Sequence, residues 1–587
     1  MVAGTSERVE PSSPQRHLSG RYLTACLLIL ALLPGLFYGT MLRRGWEPDA
    51  PDTGAARPFG IWGDTERAAG RTPDWYPHIL GGMPAHGSFL YTPRSPLNPL
   101  AAVQGQTRDY RGVYYVLLLF VAGAGTFFML RRHGCSAVSS TLGALVYSLT
   151  PYFPGAVAAG HSTKLEALCL LPWFLLAFDA LLERPDLPRI AGLAAAGALL
   201  AWSNHPQIAF YAAMIAVIIA AGRWLLLGQS PRSGLGWGRL AGAFLLAGVL
   251  ALLLAAEPYL AVREYTGYSI RGGAVADAGA GGGGGVGWDY ATGWSFHPRE
   301  LIAFLFPAWF GLEGQTYWGP MPFTQSTHYV GVIALALAIY GLVRVRDRRR
   351  WIWAIASVVV LLVGFGRHLP VLYGPMYHLV PYFNKFRVPS MIYSVLPFCL
   401  AWLAAAGTDV LAADVTRGAA RGAREGGTTG AGEPGASRKR RGTGAGGAGT
   451  AGAATAGAGT AGSGAEDSRA AGSRAAGSGG AGRARAGTDA VQRRIMYAAA
   501  GVVVLGLLAL AVAQGGGGLL RPQEVAQLPP AVAEELRQQR HGMQLGSVAR
   551  SCLFLLAAVG ALLFGRASFI ARPRRGTVVA LALSALA

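Results

Sequence analysis

Apolar runs of about 16–22 residues, each long enough to cross the ~30 Å hydrocarbon core of a bilayer as a helix, recur along this chain. Lipid offers the backbone no hydrogen-bond partner, so a run of this kind must satisfy its own N–H and C=O groups by coiling. Alternation with a period of two, the mark of an outer-membrane barrel, is missing. Mean hydropathy is +0.35, and of the 587 residues 52% are hydrophobic and only 14% charged. Soluble globular chains of this length do not have that balance. The expected fold is an all-α polytopic membrane protein with about 12–13 transmembrane helices.

The spans fall near 22–42, 113–130, 136–154, 165–182, 189–203, 207–222, 240–258, 328–343, 351–366, 388–407, 495–513 and 549–565, with a short apolar tail from 577. Arginine gathers in alternate connections: Arg131 and Arg132, Arg184 and Arg189, Arg223 through Arg239, Arg344 through Arg350, and Arg566 through Arg575. With the N-terminus inside, every one of these lies in the cytoplasm, as the positive-inside rule requires. The polar start with Arg8, Arg16 and His17, lacking a small-residue cleavage site after the apolar run, reads as an uncleaved first span. The implied arrangement is a multi-pass membrane protein with its N-terminus in the cytoplasm.

The net charge of +21 is spread through loops and forms no nucleic-acid face, so a nucleic-acid partner is not expected. Cys26, Cys135, Cys169, Cys399 and Cys552 lie in or beside apolar runs without a CxxC, which argues against a disulfide framework or a zinc site. Outside the spans, residues 1–21 form a cytoplasmic N-terminus, and 43–112 and 259–327 form two large extracytoplasmic loops within a module covering 22–407. The stretch Leu301 to Leu312, interrupted by Pro307, reads as an interfacial or re-entrant helix. Residues 408–493 are rich in Ala, Gly, Ser and Thr and have almost nothing large to bury, which predicts a disordered cytoplasmic linker before a C-terminal segment at 494–587. Its RKRR at 438–441 suits a lipid headgroup or solvent.

The polar clusters share the other side: 61–65, 160–164, 204–207, 263–271 and 383–387 all sit at span ends opposite the arginine loops. In order along the chain come GDT, DWYPHILGGMP, AGHSTKLEALCLLPW, NHPQIAFY, EYTGYSIRGG, DYATGWSF, YWGPMPFTQSTHYVG and YFNKFRVPSM. From about 20 to about 405 this succession resembles the YfhO family of bacterial membrane proteins, which is similar to the C-type glycosyltransferases. The resemblance implies a GT-C-like fold and transfer of a sugar from a polyprenyl-phosphate carrier to a cell-envelope polymer or glycan on the outer face. The linker at 408–493 departs from the family, as does the end of the chain within an apolar run at Ala587; against the family, the expectation is a truncated or shortened form.

Such a transfer needs a base for the acceptor hydroxyl, cations for the developing phosphate charge and a wall for the sugar. A positioned carboxylate base contributes ~10²–10⁴-fold in rate. Asp64, in a Gly-Asp turn after Phe59–Trp62 and matching the family's loop aspartate, is the expected base, or else a turn residue bonding its own backbone. Glu47, Glu66 and Asp74 are rivals in the same loop. Lys385, Arg387, Lys164, His161 and Arg271 are candidates for the donor phosphate, headgroup contact being the plain alternative. His205, Glu264, Tyr265 and Trp75 are candidates for sugar or acceptor contact. A helix cap is the alternative for His205, ion pairing for Glu264, and an interfacial aromatic belt for Tyr265 and Trp75. Tyr76, Tyr268, Trp288, Tyr290, Trp294, Tyr317 and Trp318 extend that aromatic supply.

Asp49 and Asp52 make no DxD pair, so no metal site or cofactor is expected, with a divalent cation left open. Neither a P-loop nor a GxSxG elbow is found. Two other functions fit the pattern: a transporter or flippase of lipid-linked saccharides, which would need paired broken helices and midplane charges, and a non-catalytic scaffold for envelope assembly.

Overall fold

In a computed structural model the described residues are 19–79, 81–85, 95–104, 109–231, 233–268, 286–312, 314–324 and 327–427, then 501, 504, 506, 508–512 and 519–571. Helices dominate them. The first span is α1 (Gly20–Phe37). The long loop after it contains α2 (Pro51–Ala68), a two-residue antiparallel pair β1 (Trp75–Tyr76) and β2 (Met83–Pro84), and the single turn α3 (Asn98–Ala101). Then follow α4 (Arg111–Arg132), α5 (Ala137–Ser148), α6 (Tyr152–Ala158), α7 (Ser162–Glu183), α8 (Leu187–Trp202), α9 (Pro206–Leu225) and α10 (Gly234–Leu254). After α11 (Ala256–Thr266) and the short α12 (Trp288–Ala291) come α13 (Val332–Arg344), α14 (Arg349–Gly364), α15 (Tyr373–Leu379) and α16 (Leu396–Gly427). The chain closes with α17 (Pro522–Gln527) and α18 (Pro530–Ala571).

Among the described residues seven helices are long and apolar enough to cross a membrane, and α8 and α13 are shorter apolar helices. The protein is thus an all-α, multi-pass membrane protein. Leucines on the outer faces of α1 (Leu28, Leu32, Leu36) and α10 (Leu245, Leu252, Leu253, Leu254) are exposed, as surfaces in contact with lipid should be. The expected span at 136–154 is divided at Thr150 and Pro151 into α5 and α6, because proline has no N–H to continue the ladder. Helix α16 runs to Gly427, beyond the boundary expected at 407, since alanine-rich sequence propagates a helix once a packed segment has nucleated it. The expected spans at 495–513 and the rest of the linker lie largely outside the described residues.

Local sequence explains where helices begin. The hydroxyls of Ser136 and Ser233 accept from the backbone N–H groups of Ser139 (3.2 Å) and Gly236 (3.1 Å), starting α5 and α10. Asp186 does the same for Arg189 N–H at the start of α8, where Pro188 supplies a preset φ. Packing then depends on two glycines. A Cβ on Gly341 would lie 2.1 Å from the Leu403 carbonyl oxygen, and one on Gly407 would lie 2.3 Å from that of Leu337, so α13 and α16 meet backbone to backbone.

The stretch 301–312 is neither a crossing nor an α-helix. It is a 3-10 turn (Pro298–Phe304) followed by irregular chain, where Phe306 and Trp309 pack on Ala509 and Val548. The Ser547 hydroxyl accepts from Ala308 N–H (3.1 Å), and Ser551 donates to the Leu305 carbonyl (2.8 Å). Pro307 cannot sustain an α-helical ladder, so partners on α18 satisfy the backbone instead.

The close approach of α13 and α16 is directly testable. Gly407→Leu should overpack the contact by about 1–3 kcal/mol or more, seen as a lower melting temperature in detergent. Gly192→Ala, at a position with open space around it, should leave the melting temperature unchanged or raise it.

Candidate functional site

The two ends of the helical bundle differ. At one, Arg132, Asp179, Arg223 and Arg349 converge; at the other lie the first turn of α7, the start of α9 and the chain around 383–390. The second end gathers several expected site residues. Gly160 adopts φ +79° just before α7, and a Cβ there would lie 2.8 Å from the Thr53 backbone nitrogen, so the first turn of α2 rests against it. This contact brings Asp52 to His161, with Asp52 Oδ2 3.1 Å from His161 Nε2. The other ring nitrogen, Nδ1, is 2.8 Å from Lys164 Nζ. An imidazole that donates from Nε2 to the carboxylate and accepts at Nδ1 from the ammonium is neutral. Burial pushes His161 down to about 4, the charge of Lys164 pushes the same way, and Arg387 adds to it against the opposing pull of Asp52.

Arg387 is set by the backbone around it. Val388 and Tyr382 have φ of +60° and +65°, a region that costs a non-glycine residue about 1–3 kcal/mol. Several bonds hold the segment in place. Gln207 donates from Nε2 to the Arg387 carbonyl (2.7 Å), Val388 N–H donates to Ala291 (3.2 Å) and Ser390 N–H to Trp294 (3.2 Å). The Arg387 guanidinium donates to the Tyr290 hydroxyl (2.5 Å) and lies over the rings of Tyr290 (5.1 Å) and Trp294 (5.5 Å). The loop 286–296 is anchored in turn by Arg367, which donates to the carbonyls of Thr292 (3.1 Å) and Asp289 (2.9 Å). Asp52, His161 and Lys164 thus form a bonded chain, and Arg387, held against its aromatic wall, is near enough for its charge to act on His161 and Lys164.

The other candidates are placed elsewhere. Asp64 is in the body of α2, not in a turn, and its exposed carboxylate pairs with Arg67. Twelve residues along one helix separate it from Asp52, or ~18 Å. Glu66 pairs with Arg71, whose hydrogen bonds hold the Glu66 carboxyl below its ordinary range. Trp75 is exposed and covers Gly82, while Tyr76 is buried against Phe59 and Trp62. His205 caps α9 by accepting from Ile208 N–H (3.3 Å). Lys385 is half-buried on the turn Phe383–Lys385 that precedes Arg387. Glu264 and Tyr265 are in the last turns of α11, with Glu264 exposed. Arg271 lies outside the described residues.

Sequence reasoning gave Asp52 no role in transfer and missed Gln207, Arg367 and His328 as individuals. His328, within the THYVG motif, stacks on Tyr152 (5.8 Å between ring centres) and meets Phe296 and Tyr393 edge-on. Its Nδ1 is buried without a hydrogen bond, and burial pushes the ring down to about 4.

Both depressed histidines give the same pH dependence. An imidazole that titrates near 6.5 when unfolded and near 4 when folded contributes stability fully above pH 6.5. That stability is lost as the pH falls from 6.5 toward 4, because only the unfolded chain takes up the proton there. Thermal unfolding in detergent should therefore show a midpoint that declines across this window. His328→Phe should flatten the decline; an equal decline in the variant would assign it to other groups.

Searches of protein-family models, of curated proteins and of solved structures find no match to this chain.

Proposed function

We propose that this protein is a membrane glycosyltransferase with a GT-C-like fold. In this reading it moves a sugar from a polyprenyl-phosphate carrier to a cell-envelope polymer or glycan on the extracytoplasmic face of a bacterial cytoplasmic membrane. The observation that carries the reading is the Asp52–His161–Lys164 chain, close enough to Arg387 for its charge to act on both His161 and Lys164, at the end of the bundle opposite the arginine-rich turns. The resemblance of the order of its short motifs to the YfhO family supports the reading as well.

The chemistry follows from the placement. The acceptor hydroxyl attacks the anomeric carbon, the bond from that carbon to the phosphate oxygen breaks, and the polyprenyl phosphate leaves with the electron pair. Asp52, in place of Asp64, takes the acceptor proton, because it is the carboxylate bonded to His161, whose other ring nitrogen meets Lys164. Neutral His161 holds that carboxylate through Nε2–H and orients Lys164 through Nδ1. Lys164 and Arg387 stabilise the charge that grows on the leaving phosphate, an effect strengthened at a low-dielectric boundary. A single phosphate develops less charge than a nucleotide diphosphate, so two fixed cations are adequate for it. Tyr290 and Trp294 keep Arg387 oriented and supply faces on which a sugar can stack.

The test is transfer of labelled sugar from a polyprenyl phosphate to an envelope fraction by purified protein. Asp52→Asn should lower the rate at least ~10²-fold and Arg387→Met should lower it comparably, with Asp64→Asn close to wild type. A reversed ranking of the two aspartates would return the base role to Asp64. Lipid translocation without transfer would establish a transporter instead.

A further inference from the structure

The arginine-rich end holds a second polar site, one that the proposed transfer does not use. A cavity of about 640 Å³ opens between the ends of α4, α7 and α9 and the start of α14. That is the size of an ordinary small-molecule site, ~300–1,000 Å³. Five arginines line it, Arg132, Arg184, Arg189, Arg223 and Arg349, against two carboxylates, Asp179 and Glu183. Asp186 and Asp347 stand just outside and pair with Arg189 and Arg349.

The carboxylates are already engaged. Asp179 accepts from Arg132 (2.8 Å) and Arg223 (2.7 Å) and faces His133 Nε2 at 3.4 Å, while Glu183 pairs with Arg132. Even with Asp186 and Asp347 counted, five guanidiniums face four carboxylates, and Arg184 has no partner among the described residues. Arg349 donates one N–H to the His133 carbonyl (2.8 Å) and has four others. On the cavity wall, His133 Nδ1 is buried without a hydrogen bond. A network that served only to tie helices together would end with its charges matched and its buried nitrogens bonded.

We propose that this cavity is a binding site for a phosphate group, carried by a lipid headgroup or free in solution. Guanidinium forks match the oxygens of phosphate in pairs, which a point charge such as lysine does not. Basic pockets between transmembrane helices suit anionic headgroups, and Leu182, Ile219, Leu227 and Ile352 provide an apolar wall beside the charges. An incoming phosphate would occupy Arg184 and Arg349, leaving the Asp179 pairs intact. The site stands at the opposite end from Lys164 and Arg387 and is independent of the transfer reaction.

The test uses the full-length protein in neutral detergent, with phosphatidylglycerol and inorganic phosphate titrated separately and thermal unfolding as the readout. A saturable rise in melting temperature with at least one probe is expected. The Arg184→Gln/Arg349→Gln double variant should raise the half-saturating concentration at least ~10-fold, equivalent to ~1.4 kcal/mol. Saturation by phosphatidylglycerol alone identifies a headgroup site, and saturation by both probes identifies a site for phosphate itself. If the double variant fails to fold, Arg184→Gln alone, at an exposed position, should still weaken binding severalfold. No saturation with either probe, or unchanged affinity in the variants, overturns the proposal.

Discussion

The bundle depends on a single buried carboxylate. Asp179 is 2% exposed, near the end of α7, and receives guanidinium hydrogen bonds from Arg132 at the end of α4 and Arg223 at the end of α9. A lone carboxylate there would be costly, and removing one partner from a buried pair typically costs about 3–5 kcal/mol. The network therefore fixes three spans in register at one end. Arg349 and Arg348 extend it, bonding the carbonyls of His133 (2.8 Å) and Leu226 (3.3 Å) so that α14 joins the same layer. With that end fixed, the first turn of α7 at the other end has a defined place, and Lys164 and His161 with it.

The candidate transfer site is assembled differently, from irregular chain instead of helix ends alone. Arg387 depends on two residues in left-handed backbone and on a side chain, Gln207, that reaches across from α9. Val388 is β-branched, which makes its positive φ more costly than it would be for glycine or asparagine. Strain of that kind persists only where surrounding bonds over-determine the backbone, as those to Ala291 and Trp294 do here. Rigid helices set the distance between elements, while the strained segment sets the direction of one cation.

The spans were legible because lipid imposes one rule on every residue inside it. Run length and the exclusion of charge foretold α4, α7, α9 and α10 to within a few residues. The interior of the first loop was not legible. Residues 51–68 contain two prolines and three glycines, so α2 is held by Phe59 and Trp62 packing on Tyr76 rather than by local preference. Missing that helix led directly to Asp64, since a Gly-Asp pair read as a turn would project a carboxylate. Asp52 carried no such local signal. Its partner, His161, is over a hundred positions away, and only the contact of Gly160 with Thr53 brings them together. The pairing of Arg387 with Tyr290 and Trp294 was hidden for the same reason, although each residue stood out alone.

Helix α18 has 42 residues and so extends ~63 Å, about twice the thickness of a hydrocarbon core. Half of it must stand clear of the lipid like a mast. Arg540, fully buried in its first third, is gripped by Glu524 (2.6 Å) and the Leu519 carbonyl (2.7 Å) and faces the Trp318 ring at 5.5 Å. Arg521 reaches the carbonyls of Gly319 (3.1 Å), Met321 (3.0 Å) and Pro322 (3.0 Å). The stretch around 317–322 is thereby moored to the first turns of α18, and a change in the tilt of this one rod would carry it along as a unit.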